Sequence, residues 1–333
     1  MERNIETAKP RASAWLATGR RLRADPAVLI AFAFIPVLIV IGSFFSRNFL
    51  TLNYLLQQLQ IASFLGVIAA GAMVVILLGH IDLSIPWTLT IGAMTATAVA
   101  ANVPFGNAAA IAAAIAVGAL VGVVNGLGTA ALRVPSMIFT LGVNAVLNGI
   151  VVLYTGGFAP RNAATHFMSW LSVGRTVLDI PNVVFVWLLI SVIVAFLLKR
   201  APLGRYIYAT GNSEASVYLS GINTRTIVIV AFVISGICNC LGGVLLAGYA
   251  GQAYQAMGNS YLLPTIAAVV LGGTNILGGR GSYLGTVAGV MLITLLGSML
   301  SVMQIDEAGR QIAYGAAIIL MLLAYGRSPK ARE

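Results

Sequence analysis

Charge is what this chain has least of. Only 8% of its 333 residues are charged, against roughly 25% in a soluble domain. With 59% hydrophobic residues and a mean hydropathy of +0.96, the chain cannot cover a water-facing surface. It is therefore expected to be an integral membrane protein. Acids are scarcer than bases, nine against nineteen. The net charge of +10 does not point to nucleic acid, because the cations are scattered at segment ends rather than gathered on one face. Cysteine is limited to Cys238 and Cys240, a C-x-C inside an apolar run. That spacing supports neither a disulfide framework nor a zinc site, and buried inert thiols are expected. No H-E-x-x-H, paired-carboxylate or nucleophile–base pattern is present, which argues against an enzyme and against a metal or organic cofactor. Gly272–Ser282 is rich in glycine but lacks the lysine and hydroxyl of a phosphate loop, so it reads as a turn. Any ATP-driven step would need a separate ATPase chain.

Long apolar runs are what the chain has in abundance. Crossing about 30 Å of hydrocarbon takes roughly 20 residues. Ten candidates follow: 27–45, 57–79, 84–101, 108–131, 136–156, 181–198, 226–250, 260–276, 282–303 and 309–326. The third and eighth are short and open near Pro86 and Pro264. The first is too long for a signal-peptide core and reads as an uncleaved span. Ten spans with both termini inside put fifteen cations on the cytoplasmic side and four outside (Arg47, Arg161, Arg175 and Arg310). Omitting one or both weak spans spoils that asymmetry. The expected fold is thus an all-α polytopic membrane protein of about ten transmembrane helices. Its parts would be a cytoplasmic tail over 1–26, a transmembrane domain over 27–326 and a second tail over 327–333. Two sets of five spans make an inverted repeat available, with the weak segments third in each set, where broken helices beside a pathway occur. Gly118, Gly122 and Gly126 in the fourth span, and Gly236, Gly242, Gly243 and Gly248 in the seventh, read as close helix packing.

Polar residues within or beside the spans are the candidates for a pathway. Asp82, in His80-Ile-Asp-Leu-Ser84, is the one acid near a span core, and such a residue is a functional suspect. Asp82 or Ser84 could equally cap the helix that Pro86 opens. Asn125, Asn144 and Asn148 are uncharged amides in spans 4 and 5, the last two on one helix face. They could bond between helices or line a passage for a neutral polar solute. No ring of charge is visible, so a charge-selective channel is poorly supported.

The longest polar segment, Lys199–Arg225, carries four cations and one acid, Glu214, and is expected in the cytoplasm. Asn212–Leu219 reads there as one short helix, capped by Asn212 or Ser213, favoured by Glu214 at its N-terminus and stopped by Gly221. It is either a solvated connector or a docking surface.

Three ordered stretches carry a resemblance. They are His80-Ile-Asp-Leu-Ser84 after a glycine, the loop Leu203-Gly-Arg…Ala209-x-Gly211-Asn212…Gly221-Ile222, and Gly272-Gly-Thr…Gly278-Gly-x-Gly281. From about residue 50 to 326 the chain resembles the permease subunits of ribose-, xylose- and galactose-type monosaccharide ABC importers. It departs from their G-G-I-D-L-S-V-G pattern, with His80 in place of the second glycine and Ile85-Pro86 in place of Val-Gly. The resemblance implies an inner-membrane permease, itself not an enzyme, that forms the path for a neutral monosaccharide. Its implied partners are a cytoplasmic ATP-binding subunit, a periplasmic sugar-binding protein, a second permease (a copy or a paralogue) and membrane lipid, with no nucleic acid. It implies that Asn212, Ser213, Glu214, Ala215, Ser216 and Gly221 belong to a helix coupling the permease to the ATPase. The outer loop Gly157–Pro181, with Ser169, Trp170 and Arg175, is long enough to meet the binding protein. The alternatives are an ABC permease for a branched-chain amino acid or nucleoside, and an ion-coupled secondary transporter.

Overall fold

A computed structural model describes residues 26–103, 106–157 and 162–326. The expected tails, apart from Pro26, lie outside the described residues. Every apolar run becomes a helix: α1 (Pro26–Phe45), α2 (Leu52–Ile76), α3 (Ile85–Asn102), α4 (Gly106–Ala130) and α5 (Ser136–Thr155). The second half supplies α7 (Asn182–Lys199), α10 (Thr224–Ala250), α11 (Leu262–Leu271), α12 (Tyr283–Val302) and α13 (Glu307–Gly326). Among the described residues seven of these, α1, α2, α4, α5, α7, α10 and α12, are long and apolar enough to cross a membrane. The protein is an all-α polytopic membrane protein. The weak eighth segment is shorter than the run 260–276 suggests: α11 has ten residues, about 15 Å of helix. Pro264 lies in its first turn, and Gly272 follows its last residue.

Further elements fall outside the ten runs. Between α5 and α7 lie α6 (His166–Val173) and a small antiparallel hairpin, β1 (Arg175–Val177) with β2 (Ile180–Pro181). Helix α6 packs against α10, where Ser172 Oγ donates to the Leu245 carbonyl at 2.6 Å. In the polar segment, α8 (Pro202–Asn212) precedes α9 (Glu214–Leu219).

Two helices form the core. In α2 89% of the span is buried and in α10 67%, against 11% in α1 and 22% in α5. The lone hydrophobic stripe of a surface helix is missing from α2, as expected of one surrounded by neighbours. Helix α10 packs on α2, α3 and α4. The small residues foreseen as packing surfaces do that here: Gly118 meets Gly236, while Gly122 and Gly126 meet the backbone of α10 at Val233 and Ile229. Cys238 and Cys240 are both free and buried.

Helix contacts repeat between the halves. Helix α4 packs on α10 and α3 on α4, just as α12 packs on α2 and α11 on α12; α3 and α11 each contact the last helix of their set, α5 and α13. The first helices break this pattern, since α1 lies on α12 and α7 on α2.

Candidate functional site

Helix α2 ends at Ile76, and Gly79 turns the chain with φ +79°. Residues 80–82 then run without helix before α3 starts. The backbone groups of this run need partners away from any helix. Ile81 N–H donates to Ser136 Oγ at 3.2 Å and Leu83 N–H to Thr140 Oγ1 at 2.9 Å, both on the first turns of α5. The Asp82 side chain is directed elsewhere and is 3% exposed. Its Oδ1 accepts from Ser84 N–H at 2.9 Å and Ser84 Oγ at 2.6 Å, and its Oδ2 accepts from Ser235 of α10 at 3.1 Å. Ser84 Oγ in turn accepts from Asn125 Nδ2 at 2.8 Å and Thr88 Oγ1 at 3.2 Å. Asp82 thus closes a turn on Ser84 just before α3 rather than capping the first-turn N–H groups of α3, and it joins α3 to α10 and, through Ser84, to α4. Ser84 occupies the N-cap position, but its side chain makes no capping bond. Asn125 Oδ1 and Asn239 Oδ1, both buried, have no partner among the described residues.

Asn144 and Asn148 stand apart from this network. Asn144 Oδ1 accepts from Trp87 N–H at 3.4 Å on the first turn of α3, and both amides are half-buried. Ser136, Thr140 and Ser235 are the members of the site that sequence reasoning missed. Serine and threonine in an apolar helix are common, and only the fold shows which of them face the Asp82 turn.

The same turn is the centre of a second junction. Gly279 N–H donates to the Leu77 carbonyl at 2.9 Å, at the end of α2. At the end of α8, Asn212 Nδ2 donates to the Gly279 carbonyl at 3.1 Å and Tyr208 Oη to the Gly281 carbonyl at 2.9 Å. The backbones approach so closely that a Cβ on Gly211 would collide with the Leu77 carbonyl oxygen, and one on Gly278 would lie 2.7 Å from Gly79 N. Stretches far apart in sequence, around residues 79–84, 208–212 and 277–281, are therefore one structural unit.

From this unit projects α9. The expectation of one helix over Asn212–Leu219 is corrected: α8 runs to Asn212, whose side chain is engaged by the glycine-rich turn, and extended Ser213 (φ −160°, ψ 100°) breaks the helix. Ser213 is the cap, accepting from Ser216 N–H at 3.3 Å. Glu214 accepts from Thr224 Oγ1 at 3.0 Å, which ties the start of α9 to the start of α10. Gly221 ends the turn with φ +79°. Ala215 and Ser216 are exposed, Val217 is buried, and the apolar residues Tyr218 and Leu219 are 69% and 85% exposed. A groove of about 670 Å³ runs between α8 and α9, lined by Tyr206, Ser213 and Ser220 among others. The carboxylate of Glu214 also acts on His80. Burial pushes that imidazole below its ordinary value, and Glu214 partly offsets the shift. Among the described residues no cluster of three His, Cys, Asp or Glu side chains could hold a metal.

The site is a set of hydrogen bonds between helix ends and turns. It offers a rigid link from an exposed apolar helix to a buried polar turn. Comparison with known proteins agrees with that character. Residues 54–324 match the family described as branched-chain amino acid transport system / permease component. The ribose import permease of Escherichia coli K12 is 36% identical over 292 residues, covering 86% of this chain and 90% of that protein. The D-allose transport system permease of the same strain is 31% identical over 285 residues, covering 85% and 86%. The autoinducer 2 import system permease of Yersinia pestis (strain Pestoides F) is 30% identical over 301 residues, covering 90% and 83%. No solved structure matches the chain significantly. The chain is a transport component rather than an enzyme, and it belongs to the family of permease subunits of ABC importers.

Proposed function

We propose that this chain forms the inner-membrane path for a neutral monosaccharide delivered by a periplasmic binding protein, with import driven by a separate ATPase docked on α9. The observation that carries the reading is the exposed apolar face of α9, Tyr218 and Leu219, held on the junction that joins α2, α8 and the glycine-rich turn. An apolar surface at a helix end, with a groove beside it, suits a protein partner. Movement of α9 would reach the Asp82 turn through Asn212, Gly279 and Leu77. Asp82, Ser84 and Asn125 are then gating residues, while Asn144 and Asn148 on α5 face the passage. The relatives named for ribose and D-allose support a sugar as cargo.

Ten spans with both termini inside remain the arrangement best supported by the charge asymmetry, with α3, α11 and α13 completing the seven unambiguous ones. The repeated contacts of α2–α5 and α10–α13 favour an inverted repeat of four helices, to which α1 and α7 are added singly. Largely exposed α5 leaves Ile138, Val146 and Leu153 for lipid or a second permease. On the opposite face, a concavity of about 650 Å³ lined by Asn107, Phe167 and Trp170 suits the binding protein. Arg175 lies nearby in sequence but is paired with Asp179 at 3.4 Å.

A branched-chain amino acid is the second reading, favoured by the description of the matching family. The test is affinity purification from native membranes of wild type, Glu214→Lys and Leu219→Asp, followed by uptake of labelled ribose and leucine. An ATPase that co-purifies with wild type and is lost in both variants supports α9 as its dock. Association unchanged in both variants overturns the docking role. Leucine uptake without sugar uptake moves the cargo to the second reading.

A further inference from the structure

The outer ends of α2, α11, α12 and α13 enclose a cavity of about 270 Å³. The same four positions in the other half, α10, α3, α4 and α5, meet at the Asp82 network, where a buried carboxylate anchors the hydrogen bonds. In the second half no such carboxylate is buried among the lining residues, and several polar groups lack partners. Gln58 is 4% exposed and Thr294 8%; both line the cavity, and Gln58 Oε1 and Thr294 Oγ1 have no partner among the described residues. Arg310 Nε is likewise buried and unpartnered. Leaving such groups unmatched in an apolar interior costs about 1–3 kcal/mol each, so the arrangement points to an occupant.

The chemistry of the walls selects that occupant. Glu307 and Arg310 neutralise one another at 2.7 Å, and the other polar lining groups are uncharged, so an ion would enter without a counter-charge. Gln58 Nε2 and Tyr54 Oη both meet Ser298 Oγ, and Arg310 donates to Ser301 Oγ at 2.8 Å, which holds the polar edge in place. Tyr261, Tyr314 and the apolar Ile61 and Ile293 complete the lining. A lining that mixes hydroxyl and amide groups with rings and aliphatic side chains matches a molecule that carries both hydroxyls and C–H faces. The volume equals on the order of nine waters at ~30 Å³ each, enough for one monosaccharide and a few waters.

We infer that this cavity is a weak binding site for a neutral monosaccharide on the permease itself, a receiving station at the outer end of the pathway. The inference deepens the importer reading and rests on it for the side of the membrane.

The test uses the full chain in nanodiscs, with D-ribose and D-allose as probes. Saturation-transfer NMR should show contact with sugar C–H protons in wild type and loss of it in Gln58→Leu and Thr294→Val. Size-exclusion profiles establish that the variants fold. A second measurement does not depend on them: Ser301→Cys at the exposed rim is labelled with a maleimide, and either sugar should slow the reaction. The native cysteines are buried and add little background. Unchanged labelling together with no NMR contact overturns the site, as does contact that survives both substitutions. Uptake by the wild-type importer with its ATPase is measured in parallel. Sugar uptake without binding at the cavity sinks this inference alone, whereas absence of all sugar uptake removes the reading beneath it.

Discussion

Replacing Gly211 by alanine adds one methyl group at the point where α8 meets the end of α2. That methyl would collide with the Leu77 carbonyl oxygen and stand 2.6 Å from Gly279 N, both of them backbone atoms without a rotamer to move. Ordinary contact begins near 3.4 Å. The nitrogen alone requires α8 to retreat by at least about 0.8 Å, at an overpacking cost of about 1–3 kcal/mol. The retreat stretches the bond from Asn212 to Gly279, the step that joins α8 to the Gly279–Leu77 link and so α9 to the Asp82 turn. Helices α2, α4 and α10 do not depend on that bond, so the membrane core should assemble. The expected result is a folded chain that still binds its ATPase through α9 but imports sugar poorly, with ATP hydrolysis uncoupled from uptake. Gly142→Ala is the control: a Cβ there meets nothing within 4 Å, and a helical Gly→Ala change is worth about 0.5–1 kcal/mol of stability. Thermal unfolding in detergent, co-purification and uptake are measured for both. Wild-type coupling in Gly211→Ala would refute the idea that this contact transmits movement.

Three further outcomes are expected. Asp82→Ala leaves the Ser84 N–H and the Ser84 and Ser235 hydroxyls without their acceptor, at about 1–3 kcal/mol per orphaned group. Asp82→Asn keeps an acceptor, so thermal unfolding should rank wild type above Asn and Asn above Ala; equal midpoints for the two variants would remove the structural role. In Gly122→Val the new Cβ would lie 2.5 Å from Val233 Cα and overlap the Phe232 carbonyl. Fluorescence size-exclusion should therefore show loss of the monodisperse peak, and a normal peak would contradict the packing of α4 on α10. Cys238 and Cys240 should resist maleimide in intact membranes and react after denaturation in detergent; rapid labelling beforehand would show that α10 is more accessible than described.

Much of this protein acts through properties that any residue carries wherever it sits. Apolar length located every long helix, and the lack of a visible ring of charge argued against a charge-selective channel. Small residues such as Gly118 and Gly122 showed where helices approach, because close approach depends on side-chain volume alone. Short-range chemistry also announced α9: a serine cap, an acid in the first turn and a glycine in the left-handed region leave few local alternatives. The missed elements are too short to register as apolar runs. Helix α8 is amphipathic and contains two glycines, and its last residue is held by a turn some seventy positions away. Helix α6 is too short to span, and its bonds to α2 and α10 secure it.

The sequence by itself determined a polytopic membrane permease with a long polar segment between spans and one suspect acid. Only the tertiary structure decided that Asp82 faces Ser235 and that Ser136 and Thr140 hold its turn. It also decided that the turns at 79–84 and 277–281 and the end of α8 form one junction. Hydropathy and capping operate between neighbours along the chain. The junction instead depends on backbone carbonyls and amides from distant stretches, groups that every residue has and that become specific only when α2 and α10 pack them together.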